Sequence, residues 1–239
     1  MFNQYVPPAY IDKLIKMGAS SELKSERRHM TVLFADIRDF TSISESMEPE
    51  ELSEFLNFYL SQITEIIFKH SGTIDKYVGD MVMAFWNAPI EDKKHALNAV
   101  NAALEMIEKT DELASVFLQK GWPQAKIGIG ISTGMMNVGD MGSSYRKAYT
   151  VLGDSVNLGS RIESLSKYYG VNVLLSEETY KQIPDNTIAF RTIDKVQVKG
   201  KEQAVTIYEP VAMVATLSEE ESCLIEEHNS AFEDYLSQH

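Results

Sequence analysis

The spacing of apolar and polar positions changes repeatedly along the chain, and each change marks an element. Thr31-Val32-Leu33-Phe34-Ala35 is an unbroken, β-branched apolar run, which predicts a strand buried on both faces. From Pro49 onward, Leu52, Phe55, Leu56, Tyr59, Ile63 and Ile66 recur every three or four residues and predict a helix over 49–70. Residues 73–76 and 81–85 read as short strands around Gly79-Asp80, the composition of a hairpin turn. A second amphipathic helix is predicted over 92–119, ending before Gly121-Trp122-Pro123. Residues 126–134 then alternate with period two, as a half-buried strand does. Beyond lie a helix over 154–169, a strand over 171–176 and a helix over 176–182. Strands over 189–198 and 204–209 follow, around Lys199-Gly200-Lys201. This alternation predicts a two-layer α+β domain over roughly 28–210.

Composition narrows the picture. In 239 residues there are 22 Lys and Arg against 35 Asp and Glu, a formal net charge of −13. With 44% hydrophobic residues a sizeable core can form, and disorder is excluded as the overall state. The charge is concentrated at the end: from Glu209 onward there are Glu219, Glu220, Glu221 and five further acids, Glu209 among them, with no Lys or Arg. Residues 211–239 therefore read as an acidic helical tail starting near Ser218, with apolar positions such as Leu224 and Phe232 that have no evident partner. Residues 1–27 lean basic and read as a connecting helix over 8–17, opened by Pro8, followed by a linker. Both ends are expected to be connecting helices cut from a longer protein.

No run approaches about 20 apolar residues, so no membrane span is expected, and residues 1–20 lack the form of a signal peptide. A lone cysteine, Cys223, fits a reducing compartment and excludes a cysteine-built zinc site. The acidic balance argues against binding a nucleic-acid backbone, though not against a single nucleotide held through divalent metal.

Four places can present chemistry. Asp36 follows the first buried strand directly, where a carboxylate is held rigidly enough to grip a hard cation; a turn former is the plainer alternative. Asp80 follows Gly79 at the predicted hairpin tip, and two carboxylates on neighbouring strand ends suit two metal ions against a triphosphate. Asn157 and Arg161 lie four apart on one helix face, a carboxamide beside a guanidinium that can fork onto phosphate; an ion pair of Arg161 with Glu163 or Glu65 is the alternative. Lys199-Gly200-Lys201 is a basic turn that could cover phosphates or simply be solvated.

Taken in order, five blocks of the chain resemble the class III nucleotide cyclases, in the bacterial adenylate cyclase branch. They are VLFADIRDFTS at 32–42, IDKYVGDMVMAF at 74–85, IGIGISTG at 127–134, YTVLGDSVNLGSRIE at 149–163 and VKGK at 198–201. The resemblance implies a ferredoxin-like sheet with packed helices, working as a head-to-tail homodimer with each active site between two chains. By the same resemblance Asp36, Asp80 and the Ile37 carbonyl hold metal, two ions of Mg²⁺ or Mn²⁺ per site. Lys76 and Thr150 read the purine across the interface, and Phe40 and Thr41 also belong to the substrate-binding set. Asn157 orients the ribose, Arg161 stabilises the transition state and Lys199 meets the terminal phosphates. The substrate implied is ATP, since Lys76 donates only and suits adenine N1, whereas Thr150 could accept from N6 or equally donate. Guanylate cyclase activity, or an inactive regulatory module that only dimerises, are the alternatives. A cytoplasmic location behind an upstream sensor or membrane domain is the expectation that accompanies the family. The histidines, His95 among them, look incidental.

Overall fold

The computed structural model describes residues 25–197 and 204–237. The first half is the unit β1 (Glu26–Ile37), α1 (Phe40–Glu45), α2 (Pro49–Lys69), β2 (Thr73–Val78), β3 (Met81–Trp86), α3 (His95–Lys120) and β4 (Ile127–Gly142). The second half is β5 (Lys147–Leu152), α4 (Asp154–Tyr169), β6 (Val173–Ser176), α5 (Glu177–Tyr180), β7 (Ile188–Val196), β8 (Val205–Met213) and α6 (Glu219–Ser237). Sheet order is β2-β3-β1-β4-β6-β8-β7, with β5 paired to the far end of β4. Its first four strands are antiparallel and make the β-α-β-β-α-β arrangement of a ferredoxin-like fold. β6 then adds parallel to β4, and β8 and β7 extend the sheet antiparallel. Among the described residues no helix is long and apolar enough to cross a membrane.

β1 is buried on both faces because it lies inside the sheet between β3 and β4. Leu33, Ala35 and Ile37 point into the main core with Phe55, Tyr59 and Ile63 of α2 and Met106 and Phe117 of α3. Met30, Val32 and Phe34 point the other way, into a second core with Phe85, Met136 and Tyr149. Asp36 continues that second row by the period of two. Its register partner is Gly128, so no side chain on the neighbouring strand stands opposite it.

Glycines on β4 let α4 lie close against the sheet. A Cβ on Gly130 would stand 2.2 Å from the Glu163 backbone nitrogen, and one on Gly159 would stand 3.2 Å from the Phe34 ring. Period-two KIGIGISTG thus codes isoleucines toward the α2/α3 core and bare backbone toward α4. That close approach fixes where α4 carries Asn157 and Arg161.

Several elements differ from expectation. β4 runs on to Gly142 and pairs with β5, a strand not expected from the pattern because its six residues, Lys147–Leu152, are too short and mixed to show a clear alternation. A short helix, α1, follows Asp39, which takes the left-handed conformation at φ 56°. The acidic tail does have a partner: the Asn229 carboxamide accepts from Thr192 N–H and donates to Phe190 C=O, both at 2.8 Å, so α6 docks on edge strand β7. Cys223 is a free, exposed thiol. The proposed N-terminal helix over 8–17 and the Lys199-Gly200-Lys201 turn lie outside the described residues.

Candidate active site

Two clusters form at the β1/β2/β3 end of the sheet, both dependent on the β2–β3 hairpin. In the first, Gly79 takes φ 65°, the left-handed geometry that closes the turn without a Cβ penalty. Asp80 follows it and turns back onto the end of β1, where its Oδ2 accepts a 3.0 Å hydrogen bond from the Ile37 backbone N–H. Asp36 lies beside it. Burial, then hydrogen bonding to the Asp80 carboxyl and the charges of Asp80 and Glu163, push the Asp36 carboxyl up to about 7 from its ordinary 3.8. Asp36 Oδ1 is buried with no hydrogen-bond partner. Two like charges and an orphaned acceptor form an arrangement that a cation would relieve, since a nearby positive charge stabilises both ionised forms.

This donor set fits a hard divalent ion. Both side chains are carboxylates, while no group of three or more His, Cys, Asp or Glu side chains suited to a metal occurs among the described residues. A site with two carboxylates leaves the remaining positions to water and substrate phosphates, the usual way Mg²⁺ is held.

The second cluster joins β2 of the hairpin to β5. Lys76, on β2, is half exposed, with its Nζ 3.3 Å from Asp75 Oδ1. Thr150, buried on β5, donates its hydroxyl hydrogen to Asp75 Oδ2. Asn157 and Arg161 lie on α4, Asn157 exposed and Arg161 half-buried. No hydrogen bond or ion pair joins Asp36 or Asp80 to Lys76 or Thr150. Phe40 and Thr41 occupy the first turn of α1 just past Asp36; Phe40 packs against the main core and Thr41 is exposed. The structure thus brings Asp36, Ile37 and Asp80 together, and Lys76 with Thr150. Lys199 lies outside the described residues.

Three residues carry more than the sequence signalled. Glu163 is half-buried beside Gly128, and burial holds its carboxyl above the usual range. Asp75 links Lys76 to Thr150, a contact 75 positions apart in the chain that no local pattern announces. His95 has a structural place: it is buried at the start of α3, with Nδ1 2.7 Å from the Thr31 hydroxyl and its ring edge-on to His29.

Comparison with known proteins identifies the family and the fold. The family model of the adenylate and guanylate cyclase catalytic domain matches residues 23–209. Adenylate cyclase 1 of Rhizobium meliloti is 37% identical over 221 residues, which cover 92% of this chain and 33% of that protein. The chain therefore spans about a third of the length of this curated relative. Among solved structures, the adenylyl cyclase CyaB from P. aeruginosa superposes with a TM-score of 0.75 at 38% identity, covering 82% of this chain and 100% of that one. The guanylyl cyclase Cya2 gives a TM-score of 0.72 at 35% identity, covering 79% and 94%. Catalytic domains of this class depend in general on divalent metal. A match that runs through almost the whole sheet, over a site whose two aspartates meet at the strand ends, leaves one assignment: the chain belongs to the adenylate and guanylate cyclase catalytic domains, the class III nucleotide cyclases.

Proposed function

We propose that the domain is an adenylate cyclase that converts ATP to 3′,5′-cyclic AMP and pyrophosphate at sites shared between two copies of the chain. The observation that carries this reading is the paired Asp36 and Asp80, crowded together with a buried carboxylate oxygen left unsatisfied. Mg²⁺ or Mn²⁺ ions held by Asp36, Asp80 and the Ile37 carbonyl would lower the pKa of the ribose 3′-hydroxyl and neutralise triphosphate charge.

The chain's own residues then divide the remaining work. Lys76 donates to adenine N1 and Thr150 meets the 6-amino group, which fixes the base. Asn157 hydrogen-bonds the ribose and holds the 3′-oxygen in line with the α-phosphorus. That oxygen forms the new P–O bond as its proton leaves, while the bond from the α-phosphorus to the α,β-bridging oxygen breaks and pyrophosphate departs. Arg161 faces the negative charge that grows on the α-phosphoryl and bridging oxygens, and Lys199 grips the terminal phosphates. An arginine in this role contributes about 10³-fold or more in related phosphoryl transfers. No protein nucleophile is needed.

Two features support assembly from two chains. The carboxylate pair and the base-reading pair are separate clusters, so a head-to-tail dimer would close each carboxylate pair against the partner's base-reading half. Met135 of β4 and Leu152 of β5 are also exposed, apolar surface that a second copy would cover. Guanylate cyclase activity is the second reading, favoured by the likeness to Cya2. Mass-spectrometric product identification from ATP and from GTP, each with Mg²⁺ and with Mn²⁺, separates the two. Cyclic AMP from ATP in clear excess is expected; a preference for GTP overturns the reading of Lys76.

A further inference from the structure

A hydroxyl has one proton, and which neighbour receives it decides what the oxygen can offer a ligand. Thr150 gives that proton to Asp75 Oδ2. The Asp75 side chain is only 1% exposed, and its other oxygen faces the Lys76 ammonium at 3.3 Å. Asp75 reaches this position through an irregularity in β2. Register runs from Ile74 opposite Ala84 to Lys76 opposite Met83, so Asp75 is the extra residue of a β-bulge. Bulges re-aim side chains, and this one turns a carboxylate inward, toward β5.

We propose that Asp75 is a specificity-determining positioning residue, which holds Thr150 as a pure hydrogen-bond acceptor and Lys76 as a pure donor at the purine edge. The proposal rests on the reading of Lys76 and Thr150 as the base-contacting pair. With its proton committed to the carboxylate, Thr150 Oγ1 presents only lone pairs. These accept from the 6-amino group of adenine and oppose the 6-oxo acceptor of guanine. Lys76 gives Asp75 one of its three N–H bonds and keeps the others for an acceptor at purine N1, which adenine has and guanine, protonated there, lacks. The ambiguity of a threonine beside a base, donor or acceptor, is removed by a buried carboxylate that never touches the base. Discrimination of this kind works by leaving the wrong partner's polar groups unpaired.

The test is the ratio of kcat/KM for ATP over GTP in the wild-type dimer, in Asp75→Asn, in Thr150→Val and in the double variant. A carboxamide at position 75 can turn its NH₂ toward Thr150, whose proton then points at the base. The ratio is expected to fall about tenfold or more in Asp75→Asn, chiefly through KM, because base contacts bind ground and transition states alike. In the Thr150→Val background the same substitution should change the ratio no more than about threefold, since the hydroxyl it acts through is gone. A ratio within twofold of wild type in folded Asp75→Asn overturns the proposal, and so does an equal loss in both backgrounds.

A second measurement needs no variant. Wild-type protein should use 6-methoxypurine riboside triphosphate, which keeps the N1 acceptor but places an acceptor at position 6, about tenfold or more worse than ATP. Equal use of the two overturns the proposal. Should the wild type make no cyclic nucleotide at all, the cyclase reading fails. The Asp75 role is then read from competition binding: an ATP preference that Asp75→Asn abolishes supports it, and one that is absent or unchanged overturns it.

Discussion

Asp36, half-buried, and Asp75, whose side chain is buried, are both carboxylates at strand positions of the same sheet, and their surroundings are opposite. Asp75 has a partner for each oxygen, a threonine hydroxyl on one and a lysine ammonium on the other. Asp36 has a second carboxylate beside it, a third nearby in Glu163, and one oxygen with no partner. The first environment is complete within the chain and serves to orient its neighbours. The second is incomplete and costs stability until a cation enters, because a buried charge without a counter-charge is poorly tolerated. A fully satisfied carboxylate beside a binding residue is therefore a positioning group, and an unsatisfied pair at a strand end is a place for a ligand.

Substitutions should separate the two. The largest effect is expected for Asp36→Ala: loss of cyclic nucleotide formation by about 10³-fold or more, with cooperative unfolding retained by circular dichroism. Substantial activity in that variant would remove the metal assignment. Next comes Gly130→Ala, whose Cβ would collide with the α4 backbone. It should lower stability by about 2–3 kcal/mol in chemical denaturation and reduce activity by displacing the Arg161 helix, while leaving the Asp36–Asp80 pair in place. The two aspartates should then differ in sign. In metal-free protein Asp36→Asn should raise stability by about 1 kcal/mol, discounted for partial exposure of the site. Asp75→Ala should lower it by about 1–3 kcal/mol because the Thr150 hydroxyl loses its acceptor. Shifts of the same sign would erase the contrast.

The smallest effect belongs to neither carboxylate. Burial first, then the facing His29 ring, hold His95 below its ordinary pKa of 6.5, with Asp92 opposing and the Thr31 hydroxyl bonded to its ring. The folded state therefore prefers the neutral imidazole. The stability His95 contributes should be fully present above pH 6.5 and decline as pH falls below it, toward the depressed folded-state value. Replacement by Gln should flatten that part of the stability profile.

How much of this could be read from the sequence follows the range of the interactions. Runs such as Thr31–Ala35, the hairpin glycine before Asp80, and the four-residue spacing of Asn157 and Arg161 are local signals, and the strand, turn and helix face they predict are present. The ferredoxin-like fold came from the five ordered blocks together rather than from any one of them. What stayed hidden is non-local. β5 escaped because it is only six residues long and its partner is the far end of β4, a pairing that exists only in the folded sheet. Asp75 escaped because its bulge and its bond to Thr150 depend on two strands that meet only in the folded sheet. Nothing local marks His95 as buried, because the Thr31 row that buries it lies 64 positions away. The tail seemed unpartnered because Asn229 seals a strand edge through backbone groups, which carry no sequence signature.

The central claim is that one chain's carboxylate pair works with the other chain's base-reading and arginine half, and mixing inactive variants measures it most directly. Asp36→Ala chains and Arg161→Ala chains, each inactive alone, are unfolded and refolded together in equal amounts, and cyclic AMP formation from ATP is followed. Random pairing makes half the dimers mixed, and each mixed dimer holds one intact site of two, so activity should return to about one quarter of wild type. No recovery in dimers verified as mixed would contradict the account.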